Sequence, residues 1–239
     1  FGEIFDARIS PKVSAGTAVL PFDTAILVPH ETTAVRELAP LAVQKSWTDA
    51  EGRLVCDFGQ NAGGNVALTV RGAAGARVIV EHGEVLDQHG AFYNGNYRTA
   101  EARIEYILKG GEEEHYRPVF TFQGYRYVRV TLEGTVDLRE IVSVPISSVT
   151  EVKAAFASAH PLVDRLVLNT LWSQRSNFIE VPTDCPQRDE RLGWTGDAQI
   201  YVRAATFNAD IASFYTKWLR DLNDDAWDYG AYAAYAPRP

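Results

Sequence analysis

The apolar residues of this chain change their spacing at about residue 153, and this change limits the folds that the chain can adopt. Before it, apolar and polar residues alternate, as Val66, Leu68 and Val70 do in NVALTVRG. Alternation also runs through ARVIVEHGE and RIEYILKG, and further aromatic and β-branched runs lie in RPVFTFQGYRYVRVTL and EIVSVPISS. A period of two is typical of strands with one buried face. Because Gly-rich breaks separate these runs and no helical pattern intervenes, the pattern predicts an antiparallel β-sandwich.

After this point the spacing becomes helical. Pro161 suits a first helical turn, and the apolar residues that follow predict a helix of about four turns that ends before Pro182. They are Leu162, Leu166, Val167 and Leu171. A second helix is predicted around residues 200–205 and a third after a cap at Asn208 or Asp210. The apolar stripe of the third helix consists of Ile211, Phe214, Tyr215, Trp218 and Leu222.

Charge and composition exclude several classes of partner. The formal net charge is -8 and no basic stripe is visible, which argues against nucleic acid and suits a neutral substrate. The sequence contains no run of eighteen or more apolar residues, so it predicts no membrane-spanning helix. Cys56 and Cys185 lie far apart and form no metal-binding pattern with the histidines, so no metal site is predicted. A disulfide between them is possible, but a chain of this size does not need one for stability. The sequence therefore favours a reducing compartment.

The stretch PTDCPQRDERLGWTGD, residues 182–197, crowds opposite charges into a segment that its prolines and glycines keep from being a regular helix or strand. It is predicted to be a loop that joins two helices. The simpler interpretation is solvated surface charge, with Arg188 and Arg191 paired to nearby acids. Trp194 and Cys185 argue against it, because a merely soluble loop has no reason to hold them.

A sugar site explains the stretch better. Carboxylates and guanidinium groups bind sugar hydroxyls, and an aromatic ring such as Trp194 packs against the C–H face of a pyranose. Glycoside cleavage also needs one carboxyl group kept protonated as a general acid, which crowding by other acids favours. Spacing alone leaves open which acid this is. The candidates are Asp184, Asp189, Glu190 and Asp197.

The segment NFIEVPTDCPQRDERLGWTGDAQ, residues 177–199, resembles the signature of bacterial α-L-rhamnosidases of glycoside hydrolase family 78. Further similar segments are GEIFDAR, DFGQN, GEVL, FTFQGYRYVRV and FYTKWLRDL. The resemblance implies a multidomain chain, β then α, in which a β-sandwich precedes the first helices of an (α/α)6 barrel. Residues 1–40 would end an N-terminal β domain and its linker, 41–150 would form the β-sandwich, and 151–239 would begin an incomplete catalytic barrel.

The resemblance also implies roles for individual residues. Glu190 would be the general acid; Asp184, Arg188 and Asp197 would hold rhamnose hydroxyls; and Trp194 would form an apolar wall of the same subsite. The family inverts configuration, which requires a second carboxylate about 6.5–9.5 Å away to activate water. No position in this sequence matches that base.

The expected function is therefore release of terminal α-L-rhamnose from a glycoside or polysaccharide, without metal or cofactor. The 239-residue chain alone is expected to be inactive. Two alternatives are an inactive carbohydrate-binding fragment and a related (α/α)6 glycosidase for another sugar. A homo-oligomer through the β domains and a bacterial cytoplasmic location are further expectations; the chain begins at Phe1, so a signal peptide would lie outside this sequence.

Two β-region segments have competing interpretations. EHGEVL could place His82 and Glu84 at a two-ligand metal site, but a solvated strand end is the simpler prediction. AFYNGNYR, residues 91–98, could be an aromatic platform for a second sugar, but a tight Asn-Gly turn between strands explains it more simply. The resemblance implies that this loop approaches the active site.

Overall fold

A computed structural model describes residues 2–10 and 16–238 of the chain. The expected N-terminal segment, 1–40, thus includes residues 1 and 11–15, which lie outside the described residues, as does residue 239. The described part is a curled β-sheet followed by three helices, which confirms the predicted order of β and α regions.

Ten strands of the described residues form the curled sheet. They are β1 (Gly2–Asp6), β2 (Arg36–Glu37), β3 (Leu41–Ala42), β4 (Lys45–Thr48), β5 (Leu54–Gly72), β6 (Arg77–Gly83), β9 (Arg103–Ile107), β10 (Glu114–Tyr116), β11 (Gln123–Glu133) and β12 (Val136–Ser147). Their order is β1-β9-β6-β11-β5-β12-β2; β4 and β10 also pair with β5, and β3 pairs with β12. The pairing is antiparallel, as predicted, except at the edge where β1 and β9 are parallel.

Strand β5 connects the two halves of the sheet. Its first residues pair with β4 and β11, and its later residues pair with β10 and β12. The sequence suggested that glycines separate the strands, but Gly59, Gly63 and Gly64 lie inside β5. Gly59 has φ +76°, and the pairing of β5 with β11 shifts register between Tyr125 and Tyr127. Glycine and register irregularity therefore bend this strand instead of ending it.

Curling encloses one apolar core between the halves of the sheet. Val66, Leu68 and Val70 are buried in it, as their alternation predicted. Burial of such side chains contributes about 1.5–3 kcal/mol each to folding. Cys56 belongs to the same core, whereas Cys185 is buried in the charged stretch, and both are free thiols, so the possible disulfide does not form.

The three helices are α1 (Pro161–Asn177), α2 (Thr195–Asn208) and α3 (Ala212–Asp224). Pro161 occupies the first turn of α1, as predicted. The N-cap residue of α3 is Ile211 and not Asn208 or Asp210, although the Ala212 amide donates to Asp210 Oδ1 at 3.2 Å. Phe214 and Trp218 of the predicted stripe are buried in a second core. Among the described residues, no helix has the length and apolar character needed to cross a membrane.

Two expectations for the β region are wrong. His82 is buried, with its Nδ1 2.7 Å from the Ala102 carbonyl oxygen, and so does not lie at a solvated strand end. The predicted Asn94-Gly95 hairpin turn is also absent, because the hairpin of β7 (Val85–Leu86) and β8 (Phe92–Tyr93) closes through residues 87–91. Gly95–Tyr97 instead forms a 3-10 turn after β8, which carries the chain toward the charged stretch.

Candidate active site

The charged stretch contains the site loop, which we define as residues 183–194. It runs from β14 (Val181–Pro182), which pairs with β13 (Phe178–Ile179), to the start of α2. The predicted loop is therefore confirmed in its middle but not at its ends: Pro182 belongs to β14, and residues 195–197 already form the first turn of α2. The loop thus joins a short strand to a helix, and not two helices as predicted.

Arg191 attaches the site loop to the sheet. Its guanidinium donates to the Phe122 carbonyl oxygen at 2.6 Å and to Gln123 Oε1 at 3.0 Å, and its Nε donates to the Arg188 carbonyl oxygen at 3.0 Å. Burial lowers the pKa of Arg191 to about 10, so the group remains charged at neutral pH. These hydrogen bonds to uncharged oxygens anchor the loop to the end of the sheet.

Asp184 closes the site loop upon itself. Its Oδ1 accepts a hydrogen bond from the Leu192 amide at 3.0 Å, and its own amide donates to the Leu192 carbonyl oxygen at 3.1 Å. Its Oδ2 lies 3.4 Å from Arg188 Nη2, and only 7% of its side chain is exposed. A charged acceptor held this firmly has little freedom to rearrange.

Glu190 lies against two arginines. Its Oε2 is 3.1 Å from Arg188 Nη2 and 2.9 Å from Arg98 Nη1, and 23% of its side chain is exposed. Both guanidinium groups contact Oε2. The sequence argument expected other acids to crowd the general acid. A carboxylate oxygen of Asp184 does lie within 4.8 Å of one of Glu190, and the structure places two arginines beside Glu190 as well.

The segment after β8 supplies a second contact with the site loop. The Thr99 amide donates to Asp189 Oδ2 at 3.3 Å, and the Thr99 hydroxyl donates to the same oxygen. The hydroxyl bond is the main cause that lowers the pKa of Asp189. Sequence reasoning missed Arg98 and Thr99, because Arg98 and Glu190 are 92 positions apart and no spacing pattern connects them. The only signal was the resemblance, which implied that this loop lies near the active site.

The other two predicted site residues lie apart from this cluster. Asp197 is exposed in the first turn of α2, where the helix dipole favours a negative charge. Trp194 is the N-cap residue of α2, and its ring packs edge-on against Tyr235 at a centroid distance of 5.0 Å. The structure thus brings Asp184, Arg188 and Glu190 into contact, but shows no contact of Asp197 or Trp194 with them.

Two cavities adjoin the site loop, and Asp184 lines both. One of about 500 Å³ lies among the three helices and has Asp184 and Asp197 in its wall. The other, of about 550 Å³, lies between β5 and α1 and contains Asp184, Arg188 and Glu84. Asn61 donates to Glu84 at 2.8 Å, and burial raises the pKa of that carboxyl group. Each volume is of the size that small-molecule sites have.

The site loop also groups three potential metal ligands. Donor atoms of Asp184, Cys185 and Glu190 lie within 4.8 Å of one another. However, Arg188 already contacts both carboxylates. Burial, and then the nearby Asp184 carboxylate, raise the pKa of the Cys185 thiol, whereas a metal ligand must be a thiolate. The cluster therefore fits a guanidinium group better than a metal ion.

Comparison with known proteins gives the same two regions. Residues 48–147 match the bacterial α-L-rhamnosidase concanavalin-like domain, and residues 151–239 match the bacterial α-L-rhamnosidase six-hairpin glycosidase domain. An α-L-rhamnosidase of Streptomyces avermitilis is 39% identical over an alignment of 251 residues. The alignment covers 99% of this chain and 24% of that protein. One from Formosa agariphila is 33% identical over 217 residues, covering 90% of this chain and 23% of that protein.

Solved structures agree with these relatives. The crystal structure of the Streptomyces avermitilis α-L-rhamnosidase complexed with L-rhamnose is 40% identical, with a TM-score of 0.83 over 89% of this chain and 21% of that one. An α-L-rhamnosidase structure from Dictyoglumus thermophilum is 33% identical, with a TM-score of 0.82 over 97% of this chain and 28% of that one. The chain thus spans about a quarter of the length of the curated relatives it matches. On these matches, which cover both its sheet and its helices, the chain belongs to the bacterial α-L-rhamnosidase family.

Proposed function

We propose that this chain carries the general-acid half of an inverting α-L-rhamnosidase site, with Glu190 as the acid. The observation that carries the proposal is the contact of Glu190 with Arg188, and of Arg188 with Asp184, on a loop beside two cavities of ligand size. The names of the relatives and the L-rhamnose bound to one of them support the choice of sugar.

The geometry suggests how the groups would divide the work. Glu190 Oε1 would carry the proton that is transferred to the glycosidic oxygen, while Oε2 stays against Arg188. Asp184, Arg188 and Asp197 would bind sugar hydroxyls through charge-assisted hydrogen bonds. Trp194, supported by Tyr235, would form the apolar wall.

Inversion requires a second carboxylate about 6.5–9.5 Å from the acid, which activates the attacking water. We propose that this base lies in a part of the barrel that this chain does not match. We also propose residues 1–40 as the end of an N-terminal β domain with its linker, 41–150 as the β-sandwich domain and 151–239 as the start of an (α/α)6 barrel. Support for this division comes from the two matched regions, 48–147 and 151–239.

The test uses the protein translated from the whole reading frame that contains this chain. We expect it to hydrolyse an aryl α-L-rhamnoside, with the inverted anomer as the first product in NMR spectra. Glu190→Gln should lower kcat at least about 100-fold, because the proton donor is lost. Glu113→Gln, at an exposed glutamate of the sheet region, is the matched control and should retain the rate.

Other outcomes would select the alternatives. Binding of L-rhamnose in calorimetry without any turnover would favour a carbohydrate-binding protein. In a panel of aryl glycosides, cleavage of a glucoside but not of the rhamnoside would overturn the proposed sugar.

A further inference from the structure

One arginine of the sheet region, Arg98, contacts the carboxyl group of the proposed general acid, Glu190. Arg98 Nη1 lies 2.9 Å from Glu190 Oε2 and 4.0 Å from Asp189 Oδ1. Arg98 belongs to the 97–99 segment after β8, whereas Glu190 belongs to the site loop. The contact therefore crosses from the concanavalin-like region to the glycosidase region.

The segment that carries Arg98 is held on both sides. Tyr97 is fully buried, and its hydroxyl donates to the Gly124 carbonyl oxygen at 2.8 Å. On the other side, Thr99 binds Asp189 through its amide and hydroxyl. Arg98 itself has φ +58°, a conformation that is uncommon for residues other than glycine. Such a conformation persists only where the surrounding structure holds it in place. Here the surrounding structure is the pair of neighbours, Tyr97 and Thr99, which are both bound.

We infer that Arg98 is a positioning residue for Glu190. Arg98 and Arg188 both contact the same oxygen, Oε2, which holds that oxygen in place and leaves Oε1 for proton transfer. The inference rests on the proposed function, in which Oε1 faces the glycosidic oxygen. Correct alignment of a proton donor is a large part of its catalytic effect.

The two arginines also suit the charge that develops in the reaction. The proton on Oε1 passes to the glycosidic oxygen, and the bond from the anomeric carbon to that oxygen breaks with its electron pair on the oxygen. Water bonds to the anomeric carbon from the opposite face and loses its proton to the general base. Glu190 is left as a carboxylate, and its charge is balanced by Arg98 and Arg188, which are already in place.

The first experiment tests positioning in the 239-residue chain, without any substrate. In NMR spectra of arginine side chains, a guanidinium group held by a carboxylate rotates slowly and shows separate Nη resonances. We expect separate resonances for Arg98 that merge in Glu190→Ala and persist in Glu113→Ala. Merged resonances for Arg98 in the unsubstituted chain would overturn the inference, whatever the outcome for rhamnosidase activity.

The second experiment measures the catalytic consequence in the protein of the whole reading frame. Arg98→Gln should slow the hydrolysis of phenyl α-L-rhamnoside about ten-fold, because the phenolate leaving group needs the proton from Glu190. It should slow the hydrolysis of 2,4-dinitrophenyl α-L-rhamnoside less than about two-fold, because that leaving group departs without a proton. Arg98→Lys should recover part of the loss. Arg139→Gln, at an arginine of similar exposure that pairs with Asp137, is the control and should change neither rate.

The two experiments separate failure of the inference from failure of the proposed function. Equal slowing of both substrates would indicate a merely structural role and overturn the positioning role. Absence of all turnover in the unsubstituted protein would contradict the proposed function, and the NMR result would then decide alone whether Arg98 holds Glu190.

Discussion

His82 is buried in the sheet, within the electrostatic influence of Arg191, which anchors the site loop. Its ring contacts Tyr125 edge-on at 4.8 Å, and its Nδ1 lies 2.7 Å from the Ala102 carbonyl oxygen, so the neutral ring donates there. Burial lowers the pKa of His82 to about 4, and the charge of Arg191 adds to this effect. Protonation of the ring would thus place a second cation near Arg191 inside the protein.

This burial predicts a loss of stability in mild acid. Between the unfolded pKa of 6.5 and the folded value of about 4, the unfolded chain binds a proton that the folded chain does not. The free energy of unfolding should therefore fall as the pH falls through this window, by about 3 kcal/mol, and stay level with respect to His82 below it. Urea unfolding at pH 7, 5.5 and 4 measures the change.

His82→Asn is the comparison variant, because the asparagine amide keeps a donor for Ala102 but does not titrate. Glu84 acts in the opposite direction, since its raised pKa favours the folded state at low pH, and it is present in both proteins. The difference between the two pH profiles therefore isolates His82. Parallel profiles would contradict the prediction.

At this scale the sequence was a good guide to the residues of the site loop and a poor guide to their neighbours. The motif pointed to Asp184, Arg188 and Glu190, and the structure brings them into contact. It gave no indication of Arg98, since a contact between distant segments depends on how the sheet folds back. The catalytic and binding roles of the site residues stay predictions.

The position of the site loop depends on a glycine in β11. A Cβ atom at Gly124 would lie 2.7 Å from Pro186 Cγ and 3.0 Å from Gln187 Cβ. The Tyr97 hydroxyl binds the Gly124 carbonyl oxygen. Gly124 therefore contacts both the loop that carries Glu190 and the segment that carries Arg98.

Gly124→Ala should push the site loop away from the sheet. The proline ring is rigid, so we expect destabilisation by about 1–3 kcal/mol and weaker binding of L-rhamnose. Urea unfolding and calorimetry measure the two effects. Gly196→Ala is the control for stability: its added Cβ meets no atom within 4 Å apart from its chain neighbours and the nearby backbone of its own helix, and alanine should stabilise the helix by up to about 1 kcal/mol. An unchanged unfolding midpoint in Gly124→Ala would show that the loop moves without cost.

Whole elements were easier to predict than the bends within them. The helices follow from the 3.6-residue spacing and from the proline at the start of α1, which are local properties. The path of β5 does not, because a glycine in a strand can end it or bend it, and the partner strands decide which. Parallel pairing of β1 with β9 likewise depends on segments about 100 positions apart, a separation that alternation within each strand does not encode.

At the scale of the molecule, both regions contribute to the candidate site. The sheet region supplies Arg98 and the carbonyl oxygen that binds Arg191, and the helical region supplies the site loop. The helices leave large apolar side chains exposed, among them Leu162 at 74%, Ile200 at 83% and Phe207 at 64%. The helices of an (α/α)6 barrel, which we propose, would cover such side chains.

The last prediction concerns the chain as a unit. The 239-residue chain should bind L-rhamnose but should not hydrolyse an aryl α-L-rhamnoside, because the motif supplies an acid without a matched general base. A sensitive release assay on the purified chain, with the protein of the whole reading frame as positive control, measures this directly. Turnover comparable to that of the control, and abolished by Glu190→Gln, would contradict the prediction. It would then place the base within these 239 residues, where Glu84, in a cavity shared with Asp184 and Arg188, would be the first carboxylate to substitute.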